Sequence, residues 1–95
     1  MRVISVRRLK QFWEKHPDAE TPLRHWYTAA KAAAWKRFAD VRRTFGSVDV
    51  YKKITIFNIG GNKYRLIAAI HYNTARVYVL EVLTHAEYDK SAWKK

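Results

Sequence analysis

Residues 49–83, DVYKKITIFNIGGNKYRLIAAIHYNTARVYVLEVL, decide the fold class. Three runs rich in Ile, Val, Tyr and Thr stand here: DVYKKITIFNI, NKYRLIAAIHY and ARVYVLEVL. Gly60-Gly61 joins the first pair and Asn73-Thr74 the second. Short links of this composition turn a chain back on itself, so the three runs read as an antiparallel meander. With Gly60 and Gly61 as the two turn residues, Asn58 falls opposite Lys63 and Ile56 opposite Arg65. Alternation then puts Asn58, Lys63 and Arg65 on one face of the sheet. Phe57, Tyr64, Leu66, Ala68, Ile70 and Tyr72 fall on the other, an apolar set that helices must cover.

The helices come from the first half. Arg2 to Ser5 is a short β-prone run. Val6, Leu9 and Trp13 recur at helical spacing, with Phe12 beside them, and Pro17 ends that segment because the residue before a proline avoids the α region. Thr21-Pro22 has the form of an N-cap followed by proline, with a start near Asp18 as the alternative. Leu23, Trp26, Tyr27, Ala30, Ala33 and Ala34 share the next stripe. Residues 6–36 are therefore expected to form an αα-hairpin packed on the sheet. Residues 37–48 have weaker periodicity and read as a connecting loop with at most one helical turn.

The last strand returns antiparallel to the middle one, so Thr84 and His85 must finish beside Lys63 and Arg65. Thr84 and Glu87 have the spacing of a capping box, which predicts a short C-terminal helix in THAEYDKSAW. That helix carries Tyr88 about one turn from His85, with Lys90 nearby. One end of the sheet thus gathers Asn58, Asn62, Lys63, Arg65, His85, Tyr88 and Lys90.

Composition points the same way. Nineteen Lys and Arg against eight Asp and Glu give a net charge of +11 over 95 residues. A field of that sign attracts polyanions, nucleic acid before an anionic membrane surface. There is no cysteine, which removes disulfides, thiolate metal sites and a thiol nucleophile. No apolar run approaches the roughly 18 residues a membrane helix needs. The expectation is one domain over residues 1–95, soluble and cytoplasmic, without metal or cofactor.

An imidazole, a phenol and fixed cations are what metal-free phosphodiester cleavage requires. His85 is the candidate acid or base, since imidazole titrates nearest neutral pH. Arg65 can clamp a phosphate oxygen bidentately, with Lys63 as second cation. Tyr88 can orient the 2′-hydroxyl, stack on a base, or carry the second proton. Asn58 and Asn62 can hydrogen-bond phosphate or base; Asn62 equally suits a turn residue with positive φ. Arg42 and Arg43 are candidates for RNA contact or for plain solvation, and Lys94 and Lys95 for a basic tail on RNA phosphates. His16, His25 and His71 carry little weight.

At FNIGGNKYRL (57–66) and THAEYDK (84–90) the sequence resembles HigB-type toxins of type II toxin–antitoxin systems, in the wider RelE-like superfamily. HPDAETPLRHWYTAAKAAAW and ADVRRTF are similar to the same family, so the likeness covers nearly the whole chain. It implies an α+β RelE-like microbial RNase fold with a basic site on the face away from the helices. It implies an mRNA interferase, an endoribonuclease that cuts message on the ribosome. It also implies a HigA-like helix-turn-helix antitoxin as partner, with operator DNA reached only through that complex. Better-known RelE-type toxins have a site rich in lysine and arginine. Arg65 matches their phosphate-binding arginine and Tyr88 falls within one residue of their catalytic tyrosine. Asn58 stands where they have a lysine and His85 where they have an arginine, which leaves the general base open. The rival readings are a basic protein that blocks RNA or ribosome without cutting, and a structural co-repressor.

Overall fold

The computed structural model describes residues 1–90. Strand β1 (Arg2–Ile4) leads into helix α1 (Val6–Lys15), a 3-10 turn (Pro17–Ala19) and helix α2 (Glu20–Ala32). Helix α3 (Phe38–Thr44) follows, then β2 (Asp49–Tyr51), β3 (Ile54–Ile59), β4 (Tyr64–His71), β5 (Arg76–Thr84) and helix α4 (His85–Asp89). The five strands lie in the order β1-β5-β4-β3-β2. All neighbours are antiparallel except β1, which runs parallel to β5 with Arg2 beside Arg76. The fold is the α+β arrangement the sequence predicts, with a mixed sheet where the sequence shows only the meander.

Several local expectations are corrected. The run DVYKKITIFNI is two strands, because Lys52 takes a positive φ of 55° and turns the chain between Tyr51 and Ile54. The β3–β4 link is four residues long, not two. Gly60 and Gly61, at φ 61° and 70°, supply the left-handed turn. Asn58 therefore faces Arg65 and Ile56 faces Ile67, not Lys63 and Arg65. The slip is two residues, so the strand residues keep their predicted faces, Asn58 with Arg65 on one and Phe57, Tyr64, Leu66, Ala68 and Ile70 on the other, while Lys63 falls in the turn. Asn62 is not among the positive-φ residues; the glycines take that role.

Helix α2 starts at Glu20 directly from the 3-10 turn, without a side-chain cap, so Thr21 is not its N-cap. Pro22 is tolerated in the first turn, where an amide would lack an intrahelical partner anyway. The helix ends at Ala32, and Ala33 is already extended. Residues 38–44 are a two-turn helix, not a loop. Asp40 fixes its start by accepting from the Lys36 amide at 2.9 Å. Val41 is fully buried, and Trp35 donates from Nε1 to Thr44 Oγ1 at 3.0 Å.

The core lies between the helices and one face of the sheet. Leu9, Leu23, Trp26, Ala30 and Val41 meet Phe57, Ile59, Leu66, Ala68, Val77 and Val79. Phe57 is its hub. Trp26 and Phe45 meet its ring edge-on at 5.3 Å, and Trp35 stacks at 6.3 Å. A second clip joins the helix layer to the β3–β4 turn. Asp18 accepts from the Tyr64 hydroxyl, and Lys63 Nζ reaches its other oxygen at 3.2 Å. These two bonds hold the Asp18 carboxyl below its ordinary value, and the same carboxylate raises Tyr64. On β5 an extra residue, Leu80, interrupts pairing between Glu81 and Val79, so the strand bulges there.

Two outcomes follow from this packing. Phe57→Ala removes the hub ring and leaves a cavity, and urea unfolding should show a loss of about 3–5 kcal/mol. Because the Asp18 carboxyl is lowered on folding, its contribution is complete above the ordinary value of 3.8 and is lost as pH falls through the folded one. Unfolding midpoints at pH 7 and pH 3 should therefore differ more for wild type than for Asp18→Asn. Equal differences would mean that the carboxylate clip contributes nothing.

Candidate functional site

The sheet face away from the helices carries Asn58 on β3, Arg65 on β4 and Leu83 on β5, side by side in one register row. Arg65 is half-buried. Its Nη1 donates to the backbone carbonyls of Asn62 at 3.1 Å and Tyr64 at 3.2 Å. The guanidinium carbon lies 5.1 Å from the centre of the Tyr88 ring. A planar cation over an aromatic face is attracted by the ring's negative π surface. The arginine is thus oriented twice, by its own turn and by the C-terminal helix.

Helix α4 reaches this point through pairing. Tyr64 lies opposite Thr84, and the His85 amide donates to the Lys63 carbonyl at 3.0 Å. Thr84 closes the predicted capping box. Its Oγ1 accepts from the Glu87 amide at 3.2 Å, and Glu87 Oε1 accepts from the Thr84 amide at 2.9 Å. The box starts the helix at His85 and so sets where Tyr88 points. His85 is half-exposed, at 51% of its side chain. Its Nδ1 stands 3.0 Å from Asp89 Oδ2. With Nδ1 facing a carboxylate, Nε2 is the ring nitrogen left to meet a ligand. Asp89 is the residue the sequence reading passed over. Its signal was present, since His85 and Asp89 are four apart on a helix and share a face.

Other predicted members are placed differently. Lys63 sits in the turn, and its ammonium is drawn to Asp18, away from Arg65. Asn58 donates to the Ser47 carbonyl at 3.4 Å, so it ties the approach to β2 onto β3. Asn62 contributes its backbone carbonyl to Arg65. Lys90 is exposed at the end of α4. Arg42 and Arg43 are on α3, which packs through Val41 on the helix side. Arg42 lies over Phe38 and Arg43 pairs with Asp40 at 3.2 Å, so neither joins the Arg65 group. His71 meets Tyr78 at the far end of the sheet. Lys94 and Lys95 lie outside the described residues.

Among the described residues, no three His, Cys, Asp or Glu side chains group as metal ligands. No described helix is long and apolar enough to cross a membrane. A roomy groove lies between α1 and β5, lined by residues such as Arg8, Phe12, Glu81 and Leu83, without Arg65 or His85. Arg65 and Tyr88 are each half-buried, and His85 is exposed.

The sequence is similar to known proteins over most of its length. The family model for HigB toxins, the RelE-like toxic component of a toxin–antitoxin system, matches residues 19–91. The mRNA interferase toxin HigB of Escherichia coli strain K12 is 33% identical over 92 residues, covering 94% of this chain and 88% of that protein. The mRNA interferase HigB of Shigella flexneri matches to the same extent. The mRNA interferase HigB of Escherichia coli O6:H1 is 30% identical over 93 residues, covering 95% of this chain and 90% of that protein.

Thr84→Ala should release the first turn of α4. Loss of such a cap costs about 1 kcal/mol, and the Glu87 amide should exchange with solvent roughly fivefold faster. Unchanged exchange would mean that the box does not hold the helix.

Proposed function

The chain belongs to the HigB family, the RelE-like toxic components of toxin–antitoxin systems, and from that premise we propose that it is an mRNA interferase whose cutting site is Arg65, His85 and Tyr88. Its partner as a toxin is an antitoxin, of HigA-like helix-turn-helix type in this reading. Operator DNA is reached only through that complex. Residues 1–95 act as one toxin domain in the cytoplasm, and message is cut on the ribosome.

The observation that carries the reading is the seat of Arg65. Its guanidinium lies against Tyr88 and is steered by two carbonyls, while His85 hangs from the carbonyl of Lys63, two residues away. In the reaction, the 2′-hydroxyl of the message attacks the adjacent phosphorus. His85 Nε2 takes the 2′ proton, with Asp89 holding Nδ1. The new bond joins O2′ to phosphorus, and the bond from phosphorus to O5′ breaks. Arg65 donates to the non-bridging oxygens as charge builds on them. Tyr88 keeps the guanidinium flat beside the phosphate, and its hydroxyl gives a proton to the departing O5′. No step needs a metal. Asn58, Asn62, Lys63 and Lys90 border the strand; Lys63 takes part only when it leaves Asp18.

Primer extension on translated message tests this. Wild type should create new message ends. Arg65→Ala and His85→Ala should each slow their appearance by roughly 10²- to 10⁴-fold. Translation halted with every message end intact would replace cutting by blocking. Full cutting by both variants would remove the site assignment.

A further inference from the structure

The same sheet face carries a second group of cations at its other end. Arg76 opens β5. It stands directly opposite His71 on β4 and directly opposite Arg2 on β1. In-register neighbours project from the same face, so His71, Arg76 and Arg2 form one row across three strands. All three are exposed. Among the described residues, no carboxylate pairs with any of them, whereas Lys63, Arg24 and Arg43 each have one. Two guanidiniums directly opposite each other across a strand pair repel and weaken the sheet. An anion bridging them removes that penalty.

An aromatic ring completes the group. Tyr78 is two residues along from Arg76 and meets the His71 ring edge-on at 4.9 Å. Tyr78 is partly exposed, and cations interleaved with aromatic rings are the usual means of holding a single strand, with phosphates on the cations and a base on the ring. His71 and Arg65 lie on one strand, six residues apart, and therefore face the same way. At strand rise the separation is about 20 Å.

We propose that Arg2 and Arg76, with Tyr78, form a remote phosphate-and-base subsite that holds RNA backbone several nucleotides from the cutting site. The inference rests on the RNA reading of this face but not on any catalytic role. The anion is an RNA phosphodiester, supplied either by the message strand or by ribosomal RNA.

The test uses the whole chain and two ligands: a 2′-O-methyl decanucleotide, which cannot be cut, and vacant ribosomes. Arg2→Ala/Arg76→Ala is compared with Lys10→Ala/Lys31→Ala, a double variant of equal charge on the helix layer. The first should weaken binding and flatten the dependence of log affinity on log salt by about 1.4, the value for two lost single-strand phosphate contacts. The second should leave the slope unchanged. The thermal midpoint of the first should stay level or rise, since a repulsion is removed. An effect on the decanucleotide identifies the message strand; an effect on ribosomes alone identifies ribosomal RNA. Equal slopes for wild type and the first variant with both ligands, or equal losses in the two variants, would overturn the subsite. Should the first variant bind and cut as wild type does, the cutting site stands without it. Should wild type bind neither ligand, both readings fall.

Discussion

Everything around Arg65 depends on the return of β5 along β4. The ladder puts Thr84 opposite Tyr64, and the His85 amide extends it by one more bond to Lys63. Arg65 lies far from His85 in sequence, so only this pairing makes them neighbours. The bulge at Leu80 shows how closely the register is held. An inserted residue flips the strand's side chains beyond it. With it, Val79 and Val82 both reach the core face, and Leu83 stands beside Arg65 on the other.

The two faces of the sheet do different work. Phe57, Leu66, Ala68, Val77 and Val79 pack under the helices and supply the burial that holds the fold. The other face carries Arg65, with Tyr88 of α4 against it, at one end and His71, Arg76 and Arg2 at the other. Among the described residues Arg2 and Arg76 have no carboxylate partner, and like charges set side by side cost folding energy through self-repulsion and attract polyanions. On the helix side Arg24 pairs with Glu20 and Arg43 with Asp40.

Much of this was legible in the sequence, because period-2 alternation and a capping box are local signals. Asn58 and Arg65 share a face as expected, and Thr84 and Glu87 start a helix. The turn register was misread because two glycines resemble a two-residue loop, while the chain uses Asn62 and Lys63 as well. Spacing alone groups Lys63 with Arg65, because Asp18, distant in sequence, gives no local sign that it claims the ammonium. Helix α3 was missed because its burial rests on Val41 and on Trp35 and Phe45 from its flanks, too few positions to make a stripe. The parallel pairing of β1 with β5 is a tertiary choice that a three-residue strand cannot announce.

The central claim is that Arg65, His85 and Tyr88 form one anion-binding surface. It is tested most directly by titrating the isotope-labelled protein with a short RNA carrying 2′-deoxy substitution at the cleaved position, and following backbone amides and arginine side chains by NMR. The account predicts that the largest shifts fall together at Asn62 to Arg65 and Thr84 to Asp89, with little change along α2 and α3. Shifts centred on the helix layer, with Arg65 and Tyr88 unmoved at saturation, would contradict it.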